Sequence, residues 1–228
     1  MDRTILKKVF ITIMLLLTFN QTLWASKTLG EVAYEMGLSE EETVKVLNGA
    51  NLVIEDAKLK FSKIASSDID YKYKMGSSGY IHDTFPIFTK GEDAEIQTSS
   101  VNRSSIHRTY LKNYLERLAY MSQKSKNISV QLDFGEKMFF RDIRKTANRI
   151  NVDVDVFQFF RKCDDNGDGV SCYSDITEKT FALNIRKKEG DYYFSIDSIR
   201  VKDTMRVNSK SGRYAQKNGG FSSNIIFK

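Results

Sequence analysis

Residues 150–160 read I-N-V-D-V-D-V-F-Q-F-F, and their pattern sets the fold class. Ile150, Val152, Val154 and Val156 alternate with polar neighbours, the period of a strand with one buried face. Phe157 and Phe159 then change phase, which predicts a bulge. Upstream, Ile128, Val130, Leu132 and Phe134 repeat the alternation. Downstream, Phe181, Leu183 and Ile185 form another apolar face. Lys187 to Asp191 reads as a turn around Glu189-Gly190. Tyr192, Phe194 and Ile196 follow, with Ile199 and Val201 out of phase. Strands joined by short turns pair antiparallel.

The chain before these strands has a different period. Leu29, Val32, Ala33 and Met36 share a helical face. Ser39 with Glu42 forms a capping box, and apolar spacing continues to Phe61, so 28–64 reads as helical with a break or kink at Gly49. Residues 65–80 read as a loop. A further helix is predicted from Ser104 to Met121, with Ile106, Tyr110, Tyr114, Leu118 and Met121 as its stripe and Leu111 and Leu115 widening it. Helices first and a meander second give an α+β fold: N-terminal helices packed on a strongly curved, mostly antiparallel sheet.

Several segments resemble a known superfamily. They are F-P-I-F-T-K at 85–90, A-E-I at 94–96, S-S-V-N-R at 99–103 and Y-L-K-N-Y-L-E-R-L at 110–118. The phrases Y-S-D-I-T-E-K-T-F-A-L at 173–183 and Y-Y-F-S-I-D-S-I-R-V at 192–201 complete the set. Together they resemble exported bacterial members of the nuclear-transport-factor-two-like superfamily, whose fold is the cystatin-like cone. The resemblance implies a bent sheet around helices with a concave pocket. It implies no activity, since such folds host enzymes, binding domains and homodimers joined through the sheet.

Residues 1–25 have the order of a signal peptide. Arg3, Lys7 and Lys8 precede the apolar run from Val9 to Phe19, and Ala25 offers a cleavage site. The run is short for a membrane span, and no second one follows. Export, to a periplasm or beyond, is the expected localisation. The 228-residue chain carries a formal charge of +6, and loss of the leader leaves +4. That charge is too small and diffuse to imply nucleic acid. Residues 29–47 resemble a helix-turn-helix, but one extra residue separates Ser39 from Thr43. Two amphipathic helices joined at Gly37 describe them as well. The domain reading is a signal peptide at 1–25, a helical region at 26–80, the α+β domain at 81–205 and a basic tail at 206–228. Towards the tail, Lys202, Arg206, Lys210, Arg213 and Lys217 among Ser, Gly and Asn suit a flexible terminus or an anionic envelope polymer.

Cys163 and Cys172 are the two cysteines, and export allows them to bridge. They flank C-D-D-N-G-D-G-V-S-C-Y-S-D at 163–175, which fits the calcium-loop pattern. Asp164, Asn166, Asp168, the Val170 carbonyl and Asp175 are the candidate ligands. The segment resembles a dockerin-type loop. A plain acidic hairpin tip explains it too, because Asn-Gly and Asp-Gly are turn dipeptides. His82 and His107 are the two histidines. Enzymes of the resembled superfamily often use a His–Asp pair in the cone, but His82-Asp83 is unsuited because sequence neighbours point apart. No complete catalytic motif is present. The expected function is an exported, non-catalytic binding or scaffold domain. An enzyme with a pocket in the cone and an envelope-associated protein are the alternatives.

Overall fold

A computed structural model of the chain describes residues 27–100, 105–123, 128–165, 167, 169–206 and 225–227. The predicted signal peptide and most of the basic tail lie outside these. Strands β1 (Glu95–Thr98), β2 (His107–Tyr110), β3 (Ile128–Thr146), β4 (Arg149–Asp165), β5 (Val170–Lys188), β6 (Asp191–Arg206) and β7 (Ile225–Phe227) form one sheet. Its order is β2-β1-β6-β5-β4-β3-β7. The four long strands pair antiparallel as consecutive hairpins. β1 joins β6 and β7 joins β3 in parallel, so the sheet is mostly antiparallel.

The bulges lie elsewhere than the sequence suggested. The β4–β5 register runs without a shift from Arg149↔Arg186 to Asp165↔Val170. Phe157 and Phe159 do not break phase. They occupy the outer face, where the Phe157 ring lies 6.3 Å from that of Phe139. The register slips instead on β3, between Phe134 and Met138 and between Arg141 and Arg144, where Asp142 has φ 47. It slips on β5–β6 between Ala182 and Leu183, so the phase change from Ile196 to Ile199 is real. Each slip bends its strand and increases twist, which lets strands of 16 to 19 residues curl around the helices.

Helix α1 (Leu29–Met36) starts at a Thr28–Glu31 capping box and stops at Gly37, φ 58. The Ser39–Glu42 box then starts α2 (Glu40–Ala65), and Glu42 N–H donates to Ser39 Oγ at 3.2 Å. The break therefore falls at Gly37, and α2 runs unbroken through Gly49. That glycine serves close approach: a Cβ there would lie 2.2 Å from the Phe194 ring on β6. Val46, Ala50, Ile54, Ala57, Phe61 and Ile64 follow one helical face and are buried against the sheet. Lys58 Nζ donates to the Gly135 carbonyl at 2.9 Å, fixing α2 to β3.

The segment expected to be a loop carries two short helices, α3 (Tyr71–Met75) and α4 (Tyr80–Thr84). Lys74 is buried and donates to Ser122 Oγ at 2.7 Å, tying α3 to the end of α5 (Leu111–Met121). That helix starts seven residues later than predicted. His107–Tyr110 pair with β1, and Leu111 N–H bonds the Ala94 carbonyl at 2.8 Å, so the backbone is committed to the sheet until Tyr110. Ile106 and Tyr110 are consequently exposed, and Leu111, Leu115 and Leu118 make the buried stripe. No described helix is long and apolar enough to cross a membrane.

Burial on α2 carries much of the stability. Ile54→Ala should cost about 2–5 kcal/mol in urea unfolding, because it empties a fully buried site. Leu52→Ala, on the exposed face of the same helix, should change stability by less than about 0.5 kcal/mol.

Candidate functional site

The inner face of the sheet changes chemistry partway along β4 and β5. Val152, Val154 and Val156, with Phe181, Leu183 and Ile185, are buried beneath the helices. Continuing in phase, β4 next presents Gln158 and Phe160. On β5 the matching inward positions are Tyr173, Asp175, Thr177 and Lys179. These polar positions, with α5 and the β1–β2 pair, enclose a cavity of about 240 Å³. Rings mark the border between the two halves. Phe61 lies 5.7 Å from Tyr114 and 6.3 Å from Phe134, and Phe134 lies 6.5 Å from Phe181.

The cavity wall holds polar groups at unusual depth. Lys179 is 3 % exposed, Asp175 5 % and Gln158 7 %. Lys179 Nζ reaches the Gln97 carbonyl at 3.4 Å and sits 5.3 Å from the centre of the Tyr114 ring. Among the described residues no carboxylate forms an ion pair with it. Burial pushes the Lys179 ammonium down to about 8, against the weaker pull of Asp175. Burial raises Asp175 above the usual carboxylate range, opposed by a hydrogen bond from the Tyr173 hydroxyl and by the charge of Lys179. Burial and the Asp175 charge also push the Tyr114 phenol up. Among the described residues Gln158 Oε1 has no hydrogen-bond partner. A buried amide left unpaired is costly, so this one is placed to meet a ligand or water.

His107, exposed on β2, also lines the cavity, as does Asp175. No hydrogen bond joins the two. His82 lies on α4, its ring 5.4 Å from that of Phe85. The sequence reading passed over Gln158, Lys179 and Tyr173. A usable signal was present: inward alternation continues while its residues turn from apolar to polar.

The stretch 163–175 is part of the β4–β5 hairpin. Cys163 and Cys172 are register partners, 4.1 Å apart at Cα, and form a disulfide. Asp164 pairs with Lys162 at 3.2 Å, and Asp165 Oδ1 accepts from Gly167 N–H at 3.1 Å. Val170 is the first residue of β5. Asp175 does not close a loop at this tip. It stands opposite Phe160, five residues along β5 from Val170 or ~17 Å at strand rise, and faces the cavity. Asn166 and Asp168 lie outside the described residues. The described candidates therefore do not fit a calcium cage closed by Asp175, because continuous pairing keeps that carboxylate away from the tip.

No family model matches the chain, and no curated protein matches it. Solved structures give faint likenesses. A candidate scytalone dehydratase from Novosphingobium aromaticivorans is 16% identical, with TM-score 0.37, covering 74% of this chain and 92% of that one. A candidate aromatic ring hydroxylase from the same organism is 11% identical, with TM-score 0.35, covering 70% and 94%. At these scores neither carries an argument, and the fold and the site rest on the geometry above.

The hairpin tip yields a direct check. Thermal unfolding in millimolar calcium should match unfolding in chelator, while Cys163→Ser/Cys172→Ser should lose about 2 kcal/mol from the freed loop. A rise of several degrees with calcium would make the tip itself an ion site.

Proposed function

We propose that the protein is an exported binding domain that takes a small, single-ring molecule into the cavity beneath α5. The observation that carries this reading is Gln158, a buried amide whose Oε1 has no partner among the described residues, in the wall of a cavity of about 240 Å³. A ligand hydroxyl would satisfy it, and Tyr114, Phe160 and Tyr173 offer apolar faces to a ring. The volume is at the small end for ligand sites, which favours one ring over two. The disulfide fits export, since such bonds persist in oxidising compartments. The wall combines a desolvated cation, a carboxyl and hydroxyls, more polar chemistry than packing alone needs.

A catalytic reading has one observation in its favour, the presence of His107 and Asp175 on the same cavity. Without a hydrogen bond between them, the binding reading is the stronger. The test is a calorimetric titration with para-hydroxybenzyl alcohol, which has one ring and two hydroxyl donors. Saturable binding is expected, weakened roughly tenfold or more in Gln158→Leu, the cost of one lost buried hydrogen bond. If neither this alcohol nor a panel of single-ring phenols and alcohols binds, the reading fails.

A further inference from the structure

We propose that Lys179 is a covalent capture site for a small aromatic aldehyde, held in the cavity as a Schiff base on Nζ. This inference rests on the cavity being a ligand site and names the chemistry of its ligand. Three observations carry it. Among the described residues lining the cavity, Lys179 supplies the one primary amine. Its Nζ is poorly tied, with a carbonyl at 3.4 Å, an aromatic ring at 5.3 Å and no carboxylate among the described residues pairing with it. Other buried or half-buried amines are engaged. Lys58 pairs with Glu55 at 2.6 Å and with the Gly135 carbonyl, and Lys74 bonds Ser122 and the Ser66 carbonyl. Those two lysines hold elements together, whereas Lys179 joins one long hydrogen bond and a cavity.

A buried ammonium without a counter-charge is expensive, and its chemical use is as a neutral nucleophile. The downward push toward about 8 supports this, because it raises the neutral fraction near pH 7 roughly three-hundredfold over an ordinary lysine. The reaction balances without an oxidant or reductant. The Nζ lone pair adds to the carbonyl carbon, and the carbonyl oxygen takes a proton to give a carbinolamine. The nitrogen loses one proton, the hydroxyl leaves as water with another, and a protonated C=N bond remains, the form that cyanoborohydride reduces. Asp175 lines the same cavity from the same inward face of β5, four residues from Lys179, and accepts a hydrogen bond from the Tyr173 hydroxyl. Tyr114 and Phe160 would flank the aromatic ring, and Gln158 would meet a ring hydroxyl.

The experiment treats the full chain with para-hydroxybenzaldehyde and sodium cyanoborohydride near pH 7 and maps the reduced adducts by peptide mass spectrometry. The expected result is adduct at Lys179 forming about tenfold or more faster than at surface lysines. Excess para-hydroxybenzyl alcohol should suppress it. Lys179→Arg should lose that adduct while its surface lysines react as before, and Lys179→Met serves as a second variant with no cation. Adducts spread evenly over surface lysines and the terminal amine, with the alcohol still binding, would overturn the Schiff base and leave the cavity a non-covalent site. Failure of both aldehyde and alcohol would overturn the inference and the binding reading together.

Discussion

The seating of α2 across the inner face of the sheet is the contact on which the rest of the molecule depends. The helix is 26 residues long, about 39 Å, and buries one stripe from Val46 to Ile64. Its approach needs small residues at the contact, and Gly49 against the Phe194 ring is the tightest case. The sheet meets it halfway by bending at register slips on β3 and β6. No described α2 side chain lines the cavity, which begins where the aromatic border of Phe61, Tyr114 and Phe134 ends. The helix thus divides one sheet face into an apolar part packed beneath it and a polar part that lines the cavity.

The charges sort along the same division. On the outer face, Asp155 is buried, but Thr180 Oγ1 donates to it at 2.7 Å, and Arg141 and Lys202 pair with it. Burial works against its ionised form, yet the Thr180 bond and those cations hold its carboxyl below the usual range. Asp153 is paired with Arg200 in the same layer. Both carboxylates are thus ion-paired, as buried charges in a structural role must be, although among the described residues Arg141 Nε and Arg200 Nε find no hydrogen-bond partner. Lys179, on the opposite face, is buried and has no ion-pairing partner among the described residues. Folding around such a group costs stability, which is consistent with the binding role proposed for the cavity.

Much of the fold was legible in the sequence because period reports directly on burial. The alternation at 128–134, 150–156, 181–185 and 192–201 located the four long strands, and the Ser39–Glu42 box located the start of α2. What escaped notice shared one cause: local pattern cannot see tertiary partners. Gly49 looked like a helix breaker until Phe194 filled the space beside it. His107–Tyr110 looked helical until β1 offered its edge. Phe157 and Phe159 looked like a slip, although they sit on an outer face that also carries Phe139. The calcium pattern could not show where its last ligand would point, for a similar reason. Asp175 has the right spacing along the chain, but strand pairing turns it inward and away from the tip. The cavity itself was written in the inward positions Gln158, Asp175, Thr177 and Lys179, which read as noise in an apolar pattern.

The central claim is that the inner face keeps a desolvated amine at Lys179, and its titration is linked to folding. Below about pH 8 the amine is charged in folded and unfolded chains alike, so its burial penalty is constant. Between about 8 and the ordinary value of 10.5 the folded chain gives up the proton first. The unfolded chain then holds more protons, and stability rises with pH. The measurement is urea unfolding of the wild-type chain and Lys179→Met from pH 7 to 10.5. Relative to the variant, the wild type should gain about 3 kcal/mol across that window. Parallel stability curves would mean that Lys179 titrates like a solvated lysine, and the account of the cavity would be contradicted.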